Sequence, residues 1–128
     1  MAGKARWSQV WWVDLGLEEN KRFVVVSEDG WNGIFDTVIA VRLTSSPNRD
    51  PGPGFPQISN KPRVIAVCGE VTTIHEDDLL EQADQLDPHQ MQAIAIGLLE
   101  VTQAHRLLGL QHPAIAPRVG ERRRGPRR

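Results

Sequence analysis

Over most of the chain the apolar residues come in short runs, not at helical spacing. Residues 9–15 (Gln-Val-Trp-Trp-Val-Asp-Leu) join aromatic and β-branched side chains, which predicts a strand. After a polar connection over 17–21, Phe23-Val24-Val25-Val26-Ser27 is apolar on both faces and predicts a central, buried strand. Residues 28–33 are dense in turn formers, with Asn32-Gly33 the strongest pair, and predict a turn. A third strand is expected over 37–43, closed by Thr44-Ser45-Ser46-Pro47. Four prolines and two glycines between positions 48 and 62 predict a long surface loop, with an edge strand near 56–58. Residues 63–68 and 70–73 read as one bent strand with Gly69 at a bulge.

The pattern then changes period. Asp87 is a good N-cap, Pro88 suits the first helical position, and Gln90 completes a capping box. From there Met91, Ile94, Leu98, Val101, His105 and Leu108 recur at spacings of three and four, one apolar stripe of about five turns, with Gly109 as its stop. The stripe fits a helix laid across the open side of a sheet; a surface for a partner helix is the alternative. Several strands with short links followed by one long helix predict an α+β fold, a small curled antiparallel sheet or barrel with a C-terminal α-helix.

Composition adds bounds. At 128 residues the chain is one domain's length and can bury a core without metal or disulfide. Its one cysteine, Cys68, cannot form an internal disulfide, and no basic N-terminal segment leads into an apolar run, so a reducing cytoplasm is the expected compartment. No apolar stretch is long enough to span a membrane. The formal net charge of −1 hides an asymmetry: residues 114–128 carry six arginines against one glutamate, a net +5, and the remainder carries −6. Residues 1–112 are therefore expected to form the folded domain and 113–128 a basic tail, disordered by composition. Such a tail serves either as a solubilising end or as a weak electrostatic contact for phosphate.

Candidate chemistry is sparse. The four histidines are isolated and lack zinc-ligand spacing, so no metal and no cofactor is expected. Glu76-Asp77-Asp78 reads as the acidic start of a helical turn. Phosphate-loop, dinucleotide and hydrolase-elbow motifs are missing. Two strand ends remain: Arg22 opens the second strand, and Thr44-Ser45-Ser46 leaves the third. In adjacent antiparallel strands these ends are neighbours, and a guanidinium beside hydroxyls could grip a phosphate and stabilise charge developing on it. Taken alone the signal is weak, since an arginine at a strand start is usually a surface residue and Thr-Ser-Ser-Pro is usually a turn.

At these positions the chain resembles a family. Val10-Trp11-Trp12-Val13-Asp14-Leu15-Gly16, Arg22 leading into Val24-Val25-Val26-Ser27, and Thr37-Val38-Ile39-Ala40-Val41 ending in Leu43-Thr44-Ser45 look like the MazF/PemK-type toxins of bacterial toxin–antitoxin pairs. Val71-Thr72-Thr73-Ile74-His75 with Leu79 resembles a later segment of that family, and the likeness covers roughly residues 7 to 110. It implies a small, strongly curved SH3-like barrel that forms a homodimer, MazF/PemK/CcdB-like in fold. It also implies a metal-independent endoribonuclease acting on single-stranded RNA, in which the ribose 2′-hydroxyl attacks the adjacent phosphate and leaves a 2′,3′-cyclic phosphate.

By position, the resemblance makes Arg22 and Thr44 catalytic with Ser45 as helper, and places Lys21, Trp31, Asn32, Arg42, Glu70 and His75 along the RNA. Trp31 would stack a base and Asn32 would contact base edges; Trp31 reads equally as an apolar cover on the barrel. The chain departs from the family pattern at Arg22-Phe23, where a proline usually follows the arginine, and at Glu70, Thr72 and His75, and its first loop is short. The implied partners are single-stranded RNA and a cognate antitoxin whose tail fills the RNA groove. The competing readings are a non-catalytic toxin that binds a protein target such as DNA gyrase, and an inactive relative.

Overall fold

The computed structural model describes residues 4–16 and 18–110; the basic tail expected from residue 113 lies outside them. Six strands form one sheet: β1 (Gln9–Val13), β2 (Lys21–Val25), β3 (Thr37–Thr44), β4 (Gln57–Asn60), β5 (Arg63–His75) and β6 (Leu79–Gln85). Their order is β4-β5-β3-β2-β1-β6, and every neighbouring pair is antiparallel. A helix, α2 (Pro88–Thr102), follows the sheet, and two short helices are α1 (Asp29–Asn32) and α3 (Ala104–Leu107).

Alternation along the strands sorts the core into two clusters. Val10, Val24, Val41, Leu43, Val64 and Ala66 pack with Met91 and Ile94 of α2. Trp11, Val13, Phe23, Val25, Val38 and Ala40 point the other way and pack with Ala5, Ile74 and Leu79. One helix covers only one face, so the sheet must curl to enclose the second cluster. A bulge makes this bend possible: opposite the consecutive residues Val41 and Arg42, β5 presents Val71 and then Val67, leaving Cys68, Gly69 and Glu70 as extra residues. The expected bent strand with Gly69 at its bulge is thus observed, and so is the edge strand in the proline-rich loop, now β4. The result is a curled six-stranded half-barrel with a C-terminal helix, as expected.

Four local expectations change. Residues 28–33 are not a plain turn: α1 forms there, with the Glu28 carboxylate accepting from the Trp31 N–H at 2.9 Å. The first strand ends at Val13, two residues early. The long helix breaks at Gln103, whose left-handed backbone (φ 57°) separates α2 from α3. His105 stays buried beyond the break, whereas Val101 and Leu108 of the expected stripe are exposed. Finally, β6 was not predictable by alternation, because after Leu79 its residues are all exposed. It is an edge strand held by backbone pairing to β1 alone.

The capping box at Asp87 is present in full: the Gln90 N–H donates to the Asp87 carboxylate at 2.7 Å, and the Asp87 N–H donates to Gln90 Oε1 at 2.9 Å. Gly97 lets α2 approach β5, since a Cβ there would lie 2.6 Å from Cys68 Sγ and 3.0 Å from Pro56 Cδ. Gly97→Ala gains up to about 1 kcal/mol of helix propensity but meets an overpacking cost of about 1–3 kcal/mol. We expect net destabilisation of about 1 kcal/mol in urea unfolding, most of which disappears in a Cys68→Ala background; an undiminished cost there would refute the contact.

Candidate active site

Arg22 is the second residue of β2, opposite Trp12 of β1 and Leu43 of β3. Its guanidinium sits over the Trp12 ring, 5.6 Å from the centroid, and among the described residues it has no ion pair. Its neighbour Val24, on the same face by alternation, belongs to the helix-side cluster. Thr44 follows Leu43 and so projects from the opposite face, next to Lys21 if the register is carried one step on. Arg22 and Thr44 are therefore brought to adjacent strand ends but from two faces, and a group touching both must sit at the rim where the faces meet.

The hydroxyl side of this rim is built from a turn. Thr44 Oγ1 accepts the Ser46 N–H at 3.2 Å, and Ser46 Oγ accepts the Asn48 N–H at 3.2 Å. The Thr44 hydroxyl proton therefore stays available to an acceptor, and Ser45 beside it is exposed. Lys21 pairs with Glu19 at 3.3 Å in the open. A forked cation, a hydroxyl donor and an ammonium at one rim suit a phosphate oxyanion.

Arg42 and Glu70 form a pair of their own, Nη1 lying 3.0 and 3.3 Å from the two carboxylate oxygens. Half-exposed, the contact contributes little stability. Its consequence is electrostatic: Glu70 at the bulge is balanced by Arg42, so it does not confront a phosphate as a bare charge.

Trp31, Asn32 and His75 lie elsewhere. His75 pairs with Thr37, at the other end of β3 from Thr44; seven steps of strand separate those ends, roughly 24 Å. There the Nδ1 of His75 accepts the Asp77 N–H at 3.1 Å, capping a short helical turn over Glu76–Asp78. The expected acidic turn is thus present. Trp31 is exposed and tilts against Phe35, with ring centroids 5.0 Å apart. Asn32, expected at base edges, is turned inward and only 2% exposed. Its Nδ2 donates to the Ser27 carbonyl at 3.0 Å and its Oδ1 accepts from the Ser27 hydroxyl, so its capacity is spent holding α1 to the sheet. Glu28, Asp29, Asp36, Glu76 and Asp77 crowd this end with negative charge.

Sequence reasoning missed a feature on the Arg22 side. Arg22 lines a cleft of about 90 Å³ together with Val10, Leu43, Ser59, Asp84 and Leu86. Asp84 reaches it because β6 pairs with β1, setting Asp84 opposite Val10. No sequence signal marks it, since a polar stretch without alternation gives no strand and no partner.

Cys68 is buried, and desolvation pushes its thiol up to about 11. It stays protonated at neutral pH and is no nucleophile. Among the described residues no group of three or more metal-ligating side chains is found, and no helix is long and apolar enough to cross a membrane.

Comparison with solved structures gives the same architecture. An endoribonuclease from mycobacterial species superposes with a TM-score of 0.68 at 24% identity, covering 85% of this chain and 95% of that one. An endoribonuclease in complex with its cognate antitoxin, also from mycobacterial species, matches at TM-score 0.68 and 24% identity over 85% of this chain and 99% of that one. MazE–MazF from Deinococcus radiodurans matches at TM-score 0.64 and 14% identity, covering 84% and 97%. At such identities the likeness is one of fold. None of the curated proteins is a significant match. The family of PemK-like, MazF-like toxins of type II toxin–antitoxin systems, however, matches residues 7–102, which takes in every strand and the whole of α2. The chain belongs to that family.

Proposed function

We propose that this toxin is an endoribonuclease that cleaves single-stranded RNA without a metal. The observation that carries the reading is Arg22, a cation with no acidic partner among the described residues, at a strand end adjacent to the one that carries the Thr44 hydroxyl on the other face of the sheet. In the reaction the ribose 2′-oxygen forms a bond to the adjacent phosphorus and the bond to the 5′-oxygen breaks. The 2′-hydroxyl proton is lost to solvent and the leaving 5′-oxygen takes one up, giving a 2′,3′-cyclic phosphate and a 5′-hydroxyl. Arg22 stabilises charge on the phosphoryl oxygens as it grows, and Thr44, with Ser45 beside it, holds the phosphate by hydrogen bonds. Lys21 adds positive charge.

The Trp31 end takes no part in this step: it lies a strand's length away, among carboxylates that repel phosphate. The neighbour described with its cognate antitoxin supports an antitoxin partner for this chain, and a homodimer in the cytoplasm, with the basic tail adding RNA affinity, completes the reading. Purified protein is expected to cut single-stranded RNA in excess EDTA and to leave cyclic phosphate and 5′-hydroxyl ends. Intact RNA, or 5′-phosphate ends, would refute the proposal.

A further inference from the structure

The cleft beside Arg22 contains polar groups that the cleavage step does not use. Gln90 at its edge is held in place, its Nε2 donating through one N–H to the Ile58 carbonyl at 2.7 Å and its Oε1 accepting the Asp87 N–H. Ser59 spends its proton on the Pro62 carbonyl at 2.7 Å and keeps its oxygen as an acceptor. Asp84 accepts the Gln85 N–H at 2.7 Å through Oδ1, and Oδ2 has no protein partner among the described residues. The groups left for a ligand are thus one cation, Arg22, two acceptors, Asp84 and Ser59, and one N–H of the Gln90 amide at the edge, above a floor of Val10, Leu43 and Leu86.

The spacing says what could fill it. Asp84 is opposite Val10, and Arg22 is opposite Trp12, one strand beyond and two residues along. Two strand spacings and two residue steps separate their Cα atoms by about 12 Å. Arg22 and Asp84 form no ion pair across this gap, so the cleft suits a ligand negative at one end, flat and apolar-faced in the middle, and rich in hydrogen-bond donors at the other. A nucleotide has this order: phosphate, ribose, base ring, base edge.

We infer that the cleft is a base-reading pocket in which Asp84 selects the nucleotide next to the phosphate held by Arg22, with preference for guanine. This inference rests on the ribonuclease reading. The chemistry favouring guanine is the pairing of acceptors with donors. Guanine alone presents two adjacent N–H donors, N1–H and the N2 amino group, to the two oxygens of a carboxylate. Adenine and cytosine offer one amino group beside an acceptor nitrogen, and uracil offers one N–H flanked by two carbonyls that repel a carboxylate. At about 90 Å³ the cleft is too small to enclose a purine, so only the edge of the base enters it, and the exposure of Asp84 keeps that edge reachable.

The test measures binding of the four ribonucleoside 3′-monophosphates to the full chain by NMR titration, alongside cleavage of a random-sequence RNA pool. Guanosine 3′-monophosphate should bind best and uridine 3′-monophosphate worst, about tenfold or more apart, the discrimination typical of a two-point base contact. Asp84→Asn and Asp84→Ala should collapse that spread while all four nucleotides still bind. Because Asp84 is exposed, neither change should shift the unfolding midpoint. Equal binding of the four by the wild-type chain, or a spread that survives both substitutions, overturns the inference. Cleavage with no Asp84-dependent preference sinks it and leaves the ribonuclease reading standing. A nucleotide preference lost in the Asp84 variants, in a protein that cuts no RNA, sinks the ribonuclease reading and supports the pocket.

Discussion

Arg22→Ala is expected to slow cleavage of single-stranded RNA by at least about 100-fold while the protein remains folded. Loss of one preorganised donor at a developing oxyanion typically costs a factor of about 100–1,000. Here the removed group is also a cation, and no other cation takes its place on that face: Lys21 and Arg42 project from the opposite face of the sheet, and Arg42 is paired with Glu70. The stability cost is small by comparison. Arg22 is half-buried, and its one described contact is the stacking on Trp12, worth about 0.5–1 kcal/mol at such a site. A drop in unfolding midpoint of no more than a few degrees should therefore accompany the loss of activity. Arg22→Lys, which keeps the charge but not the planar fork, should fall between the two proteins. RNA cleavage at the wild-type rate by Arg22→Ala would remove the rim from the mechanism.

The second large effect concerns the helix. Ile94→Ala should destabilise the protein by about 2–5 kcal/mol, read from the midpoint and slope of urea unfolding. Ile94 is 1% exposed, and with Met91 it fills the helix-side cluster against the strands. Its loss opens a cavity that the sheet, held by the bulge at Cys68–Glu70 and by its ladders, cannot readily close. Against a total stability of about 5–15 kcal/mol for a domain of this kind, the loss is a substantial fraction. Ile96, two residues on and half-buried, should cost much less in the same substitution. Equal costs at the two positions would mean that the helix does not pack on the sheet by this face.

Both predictions depend on which local rules survived folding. The α2 N-terminus was legible because a capping box is written in four consecutive residues and needs no distant partner. The continuation of that helix was not, because periodicity alone could not show that Gln103 would turn left-handed and carry His105 inward on a separate turn. The strands at Val10, Val24 and Val41 were legible since each has enough apolar β-branched residues to declare burial. The strand β6 was illegible for the opposite reason: an edge strand needs only backbone partners, and its side chains, exposed after Leu79, follow no alternation.

The candidate site divides in the same way. Arg22 and Thr44 could be placed at neighbouring strand ends because strands consecutive in sequence pair antiparallel, here across the link over residues 26–36 that holds α1. Their emergence from opposite faces follows from the register of Arg22 against Leu43, a one-residue matter that no local pattern specifies. Trp31, Asn32 and His75 had been grouped with Arg22 by resemblance alone. The sheet separates them by the length of β3, and the packing against Ser27 takes Asn32 out of solvent.

What the residues determined without tertiary contacts was the class of fold, its principal strands, its capped helix and the pair of strand ends able to hold a phosphate. These follow from period, propensity and capping, which act over a few residues. What only the tertiary structure decided was the pairing of β6 with β1, the balance of Glu70 by Arg42, the inward turn of Asn32 and the meeting of Asp84 with Arg22 in one cleft. Each of these joins residues distant in sequence or depends on which face of a pleat a residue takes, and such choices are settled by the packing of the whole sheet.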